Sequence, residues 1–360
     1  MNLERLIERT ITIQSIPAPT FSEGARATWI HKEFSKLNFA SPEQDPIGNI
    51  YFRFPGGKKP PLIITAHLDT VFPVETSLEV KRTSDTLCGP GIGDNSLSLA
   101  VLLELAEELS EIDLPGDVWL IANVGEEGLG NLIGMRQVVS KFHDQVTAYI
   151  VLEGMSLGHI YHKGLSVRRF RVAAEGPGGH SWVHHTRPSA IHTLIDLGKE
   201  LLNIKLSTSP KSILNIGLFH GGTTINSIAR QAYFDLDLRS ETEEALEELA
   251  KRVTEILTLH QVKEINVTIQ RIGERPAGVL PKDHPLIGAA RQALELVGEK
   301  EIMMEAGSTD ANMPLSLGYP AICIGITRGG GAHSLDEFIE ISPITKGFQA
   351  LLHLIRLAFH

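Results

Sequence analysis

Apolar residues at Leu3, Leu6 and Ile7 recur at helical spacing and predict an amphipathic helix across the opening MNLERLIERTITIQSIP. Beyond it the apolar runs shorten. Residues 62–66 (LIITA), 118–124 (VWLIANV) and 148–152 (AYIVL) read as buried strands, separated by helical periodicity over 96–109 and 134–141. Strands alternating with helices predict a mostly parallel sheet covered by helices. Functional side chains are then expected just beyond the carboxyl ends of the strands.

Between 164 and 273 the period changes. Residues 166–174 (SVRRFRVAA) and 232–239 (AYFDLDLR) alternate, which suits an antiparallel sheet with one solvated face, while 187–202 and 243–257 carry helical periodicity. From 274 the α/β character resumes, with a helix over 285–296, a strand over 321–326 and a closing helix over 344–359. The expectation is an α/β protein with one catalytic domain, built from 1–163 and 274–360. An α+β domain over 164–273 is inserted into it. A length of 360 residues also favours two cores over one.

Composition narrows the class. Hydrophobic residues at 42% and charged residues at 21% describe an ordinary globular chain. A formal charge of −10 disfavours nucleic acid and anionic membrane surfaces, which select basic patches. Glu4 and Glu8 interrupt the opening apolar residues, so neither a signal peptide nor a membrane span is expected there. Cys88 and Cys323 cannot form a disulfide framework, and a reducing, cytoplasmic location is expected.

Five fragments each supply a residue type suited to zinc: His67 in TAHLDT, Asp94 in GPGIGDN, Glu127 in VGEEG, Glu153 in VLEG and His333 in GGGAHS. Taken singly, each fragment is weak: His67 could be an ordinary polar strand end, the adjacent glutamates a solvated turn and His333 a surface-loop residue. An acid at the strand end of Glu153, by contrast, is otherwise hard to explain. Their order and flanks give the set its weight. Asp69 lies two residues from His67, and a carboxylate beside a metal-bound imidazole fixes its tautomer. The glycine-rich run before Asp94 is a poor phosphate loop, because Pro90 lacks an N–H and an acid ends it. Asp94 has two oxygens and can bridge two metals. Of the adjacent Glu126 and Glu127, one can bind metal while the other stays available as general acid and base. The glycines around Gly330 free backbone N–H groups for a substrate oxygen.

These motifs resemble the co-catalytic zinc metallopeptidase and deacylase family of aminoacylase, glutamate carboxypeptidase, tripeptide aminopeptidase and succinyl-diaminopimelate desuccinylase. The similarity covers nearly the whole length. It implies a zinc-peptidase-like catalytic domain with an inserted lid or dimerisation domain. It also implies two zinc ions, with cobalt or manganese as substitutes. By this resemblance His67, Asp94 and Glu153 surround one zinc, and Asp94, Glu127 and His333 the other. Asp69 is then the partner of His67, and Glu126 the general base. GPGGHSW puts His180 at the position of a family histidine that reaches the substrate carbonyl, often in the partner subunit's site. A homodimer through 164–273 is implied. Asn226 in GGTTINSIA and Arg239 in DLDLR match positions that contact substrate oxygen or carboxylate, and GSTD at 307–310 matches a loop near the cleft. The peptide bond after Asp94 is expected to be cis.

The implied reaction is hydrolysis of an amide bond in a small peptide or N-acyl amino acid. Glutamate at 153 resembles the carboxypeptidase, aminoacylase and desuccinylase branches, whereas HLDTVFP also occurs in aminopeptidase-like members. The run Asn95-Ser96-Leu97-Ser98 departs from the family's usual wording after the bridging aspartate. The alternatives are a tripeptide aminopeptidase-like exopeptidase and a catalytically silent member acting as a binding module.

Overall fold

A computed structural model describes every residue except Asn38, Phe39, Glu111 and Gln261. The chain divides into two compact units, Met1–Gly164 with Gly278–His360, and Leu165–Ala277.

In the first unit four parallel strands lie side by side in the order Gly116–Asn123, Lys59–His67, Ala148–Glu153 and Ala321–Gly325. Ile50–Phe54 flanks them antiparallel on one side and His159–Gly164 on the other. Leu62, Ile63, Ile64 and Ala66 are all fully buried. Both faces of this strand are therefore covered, which is why its sequence is an unbroken apolar run instead of an alternating one. The helix Leu97–Leu109 is buried along most of its length for the same reason.

The opening helix spans Leu3–Gln14, capped by the Asn2 side chain, which accepts the Arg5 N–H at 3.1 Å. It buries Leu6, Ile7 and Ile13, each worth roughly 1.5–3 kcal/mol. Leu6→Ala would cost roughly 2–5 kcal/mol. The same helix turns Arg5 and Arg9 onto the fully buried Glu104 of Leu97–Leu109, at 2.8 and 3.0 Å. A carboxylate so placed is tolerable only because two guanidinium groups reach it.

The second unit is a four-stranded antiparallel sheet in the order Ser212–Gly221, Gln231–Ser240, Ser166–Glu175 and Asn266–Arg275. The helices Ala190–Leu202 and Glu243–Leu259 bury Leu194, Leu197, Leu246 and Val253 in a core with Phe234 and Leu236. Alternation along Gln231–Ser240 is strict, with Phe234, Leu236 and Leu238 buried and Asp235 and Asp237 on the other face. This unit ends at Ala277 and not at 273, because its edge strand pairs Arg275 with Val167.

Register sets the stage for the site. His67 is level with Asn123 on one side, and Glu153 is level with Gly325. The Asp94–Asn95 bond is cis, as the resemblance implied. Among the described residues no helix is long and apolar enough to cross a membrane.

Candidate metal centre

His67 is the last residue of its strand and Glu153 the last of the neighbouring one, so both reach the same sheet edge. Glu126 and Glu127 follow three and four residues beyond Asn123. Asp94 arrives on the loop before Leu97–Leu109, and His333 on the loop after Ala321–Gly325, where its φ of +64° is unusual for a residue with a side chain.

These five side chains converge. His67 Nε2 lies 3.0 Å from Asp94 Oδ1 and 3.7 Å from Glu153 Oε2. His333 Nε2 lies 3.3 Å from Asp94 Oδ2 and 3.2 Å from Glu127 Oε1. Asp94 therefore turns one oxygen to each imidazole. Two donors about 2.05 Å from one tetrahedral zinc stand about 3.3 Å apart. The spacings match that value on both sides of Asp94. Donor atoms of His67, Asp94 and Glu127 all lie within 4.8 Å of one another.

The electrostatics point the same way. Burial pushes the Glu127 carboxyl up to about 7, with the Asp94 charge adding to it, and burial likewise holds Glu153 at about 7. Asp94 is opposed by burial too, but hydrogen bonds with His333 and His67 hold it well below the carboxylate range. Contacts with Asp94 and Glu127 raise His333 to about 10. Burial disfavours a charged His67, yet its contacts with Asp69, Asp94 and Glu153 keep it well above the ordinary imidazole value. Carboxyls that retain protons beside imidazoles that gain them mark a cluster short of positive charge. Divalent cations supply such charge, so the donor set fits bound metal.

The ring orientation of His67 is fixed from behind. Its Nδ1 lies 3.0 Å from the backbone carbonyl oxygen of Asp69, while the nearer Asp69 carboxylate oxygen is 3.6 Å away, beyond hydrogen-bond range. The carboxylate of Asp69 instead accepts the backbone N–H of Glu126 at 3.0 Å and of Glu127 at 2.8 Å, and the Thr20 hydroxyl at 2.9 Å. Asp69 thus ties the His67 strand end to the loop of the two glutamates.

Two further buried acids stand by the cluster, Glu337, which sequence reading did not single out, and Asp310 of the GSTD loop, which it placed near the cleft. Glu337 Oε1 accepts the N–H of Gly93 at 2.7 Å and of Asp94 at 2.8 Å, and Oε2 that of Gly91 at 3.1 Å. Burial pushes Glu337 up to about 7, the nearby Asp94 charge contributing. Asp310, in the GSTD loop, is fully buried and accepts the Asn123 side-chain N–H at 2.7 Å.

Of the four remaining sequence candidates, Gly330 belongs to the first unit and His180, Asn226 and Arg239 to the second. Gly330 pairs with Phe338 in a small antiparallel sheet. In the second unit, His180 pairs with Ser227, and the Ser181 N–H donates to the Asn226 carbonyl at 3.0 Å, so His180 and Asn226 share one exposed tip. Arg239 does not join them. Its Nε donates to Asp237 at 2.7 Å, near the other end of Gln231–Ser240, eight residues or roughly 26 Å along the strand from Gln231.

Residues 63–357 match the peptidase family M20/M25/M40. A succinyl-diaminopimelate desuccinylase of Corynebacterium glutamicum is 25% identical over 349 residues, covering 93% of this chain and 92% of that protein. A Staphylococcus aureus tripeptidase structure superposes with a TM-score of 0.80 at 20% identity, covering 100% of this chain and 99% of that one. An M20 family metallo-carboxypeptidase of Sulfolobus solfataricus superposes with a TM-score of 0.76 at 16% identity over the full length of both chains. With a metal-suited cluster at the sheet edge, the chain belongs to the peptidase family M20/M25/M40, whose chemistry is metal-dependent hydrolysis of amide bonds.

Proposed function

We propose that the chain is a two-zinc hydrolase of small peptides or N-acyl amino acids, with one zinc between His67, Asp94 and Glu153 and the other between Asp94, Glu127 and His333. The observation that carries this reading is Asp94, whose two oxygens each meet a different imidazole, at 3.0 and 3.3 Å. Bound zinc would polarise the scissile carbonyl and acidify water. Glu126 takes a proton from the attacking water onto its carboxylate and returns it to the leaving nitrogen. Its main-chain N–H and that of Glu127 are both held by the Asp69 carboxylate. His180 stabilises the oxyanion, a contribution of about 3–4 kcal/mol in comparable sites. Asn226, Arg239 and the Gly330 backbone hold substrate oxygens. Glu126 beside a full ligand set argues against a silent binding module.

The same reading includes a homodimer through the second unit and a cytoplasmic location. One copy of that unit spreads Arg239 and the His180–Asn226 tip too far apart for one small substrate, so a second copy is needed. Its edge strand Ser212–Gly221 leaves one side unpaired within the sheet and exposes Leu218 and Phe219. Both cysteines are free, in keeping with a reducing compartment.

The test is dialysis against a chelator, then turnover of dipeptides, tripeptides and N-acyl amino acids with zinc, cobalt or manganese restored, alongside metal analysis. Two metals per chain and metal-restored turnover are expected. Full activity in metal-free protein would overturn the reading.

A further inference from the structure

Around the metal-suited cluster, the loops of the first unit carry a group of exposed apolar side chains that nothing in the proposed chemistry uses. Phe21 is 65% exposed, Leu129 45%, Ile133 42% and Val71 37%. Their positions are tied to the reacting groups. Asp69 Oδ2 accepts both the Thr20 hydroxyl and the Glu127 N–H, and Glu23 Oε1 accepts the N–H of Phe21 at 3.0 Å and of Gly125 at 3.1 Å. Residues 20–21 therefore lie against 125–127. A Cβ on Gly125 would stand 2.5 Å from Ile133 Cγ2, so Ile133 covers the same loop. Val71 follows Thr70, whose N–H donates to Ala18 at 2.9 Å. Phe21 is also held at φ +71°, a left-handed conformation that costs an L-residue about 1–2 kcal/mol. A large aromatic kept strained and exposed beside a catalytic loop is a feature of use, not of packing.

The charges around this lip complete the argument. Residues 16–25, 67–80, 89–98, 124–135, 152–158 and 305–313 contain no lysine or arginine. Of the cations adjoining these loops in sequence, Lys81 stands exposed in the short strand Lys81–Arg82, level with Cys88, and three others are engaged elsewhere. Arg26 is buried and donates to the carbonyls of Ile16 and Leu68, Arg136 Nε donates to the Asn131 carbonyl, and Arg328 pairs with Glu299 at 2.8 Å. A carboxylate on the acyl side of a substrate would lose water against these side chains, and the six segments that carry and surround them offer it no lysine or arginine.

Resting on the hydrolase reading above, we propose that Phe21, Val71, Leu129 and Ile133 select the acyl half of the substrate, and that this half is apolar and uncharged. In the hydrolase reading Arg239 and Asn226 already take the substrate carboxylate, so the lip residues are assigned to the acyl end. An acidic acyl group such as succinyl is the disfavoured class.

Two matched pairs test this with the zinc-loaded full chain. N-(4-methylpentanoyl)alanine differs from N-succinylalanine, and Leu-Ala from Asp-Ala, by an isopropyl group in place of a carboxylate. In whichever pair turns over, kcat/KM for the apolar member should exceed the acidic one at least about tenfold. Phe21→Arg and Ile133→Lys should each shrink that ratio several-fold; since the ratio is internal to one protein sample, partial misfolding does not move it. A preference for the acidic member, or a ratio unmoved in both variants, overturns the proposal. Metal-dependent turnover of neither pair, nor of any other peptide or N-acyl amino acid, would overturn the hydrolase reading itself and the proposal with it.

Discussion

Glu337 receives the backbone N–H of Asp94 at 2.8 Å on the same carboxylate oxygen that accepts Gly93 at 2.7 Å, so a buried acid far along the chain shapes the loop of Asp94. Glu337→Ala would strand three buried N–H groups, each costing about 1–3 kcal/mol. We expect a lower Tm and loss of metal on dialysis, with Glu337→Gln intermediate. Calorimetry and metal analysis check this; a variant with wild-type Tm and metal content would show that the loop holds itself.

The adjacent glutamates are expected to fail differently. Glu126→Gln should retain metal yet lose at least about 10²-fold in turnover, the lower end for a missing general acid and base. Glu127→Gln should bind metal more weakly and recover partly in excess zinc. Metal loss in the Glu126 variant with retention in the Glu127 variant would reverse the two roles.

Acid stability should depend on Glu104. Burial alone would raise its carboxyl, but hydrogen bonds from Arg5 and the Asn2 N–H, with the charge of Arg9, hold it below its ordinary 4.5. A depressed folded value contributes stability that is present above 4.5 and lost as pH falls through the folded value. Between pH 7 and 3 the wild-type Tm should therefore drop more steeply than that of Glu104→Gln, which starts lower. Parallel curves would contradict this assignment.

Association is expected through the edge strand Ser212–Gly221. Sedimentation should find a dimer, and Leu218→Lys together with Phe219→Lys should shift it toward monomer while circular dichroism stays unchanged. A wild-type chain that is monomeric and fully active at high dilution would remove the need for a second copy.

What the sequence determined by itself is the part written in local patterns. The unbroken apolar run before His67 announces a strand covered on both faces, and strict alternation over 232–239 announces one solvated face. The five candidate donors were legible through the order and flanks of their fragments, HLD, GDN, GEEG, VLEG and GGGAH. The helix Gly24–Ser35 was passed over although its buried Ala27, Ile30 and Phe34 carry helical spacing, and Ser212–Gly221 was missed because a register shift between Ile216 and Leu218 breaks its alternation.

Only the tertiary structure decided which distant groups meet. Sequence reading paired His67 with Asp69; folding adds the Asp69 carbonyl at 3.0 Å from the ring and also gives the carboxylate the N–H groups of the glutamate loop. Glu337 looked like one more acid beside Asp336 until folding buried it under three N–H donors. Arg239 and Asn226 look alike as substrate contacts in sequence, yet a strand's length separates their ends of the sheet. Spacing along a chain carries periodicity and local chemistry; proximity between residues hundreds of positions apart arises only when burial and hydrogen bonding choose one packing.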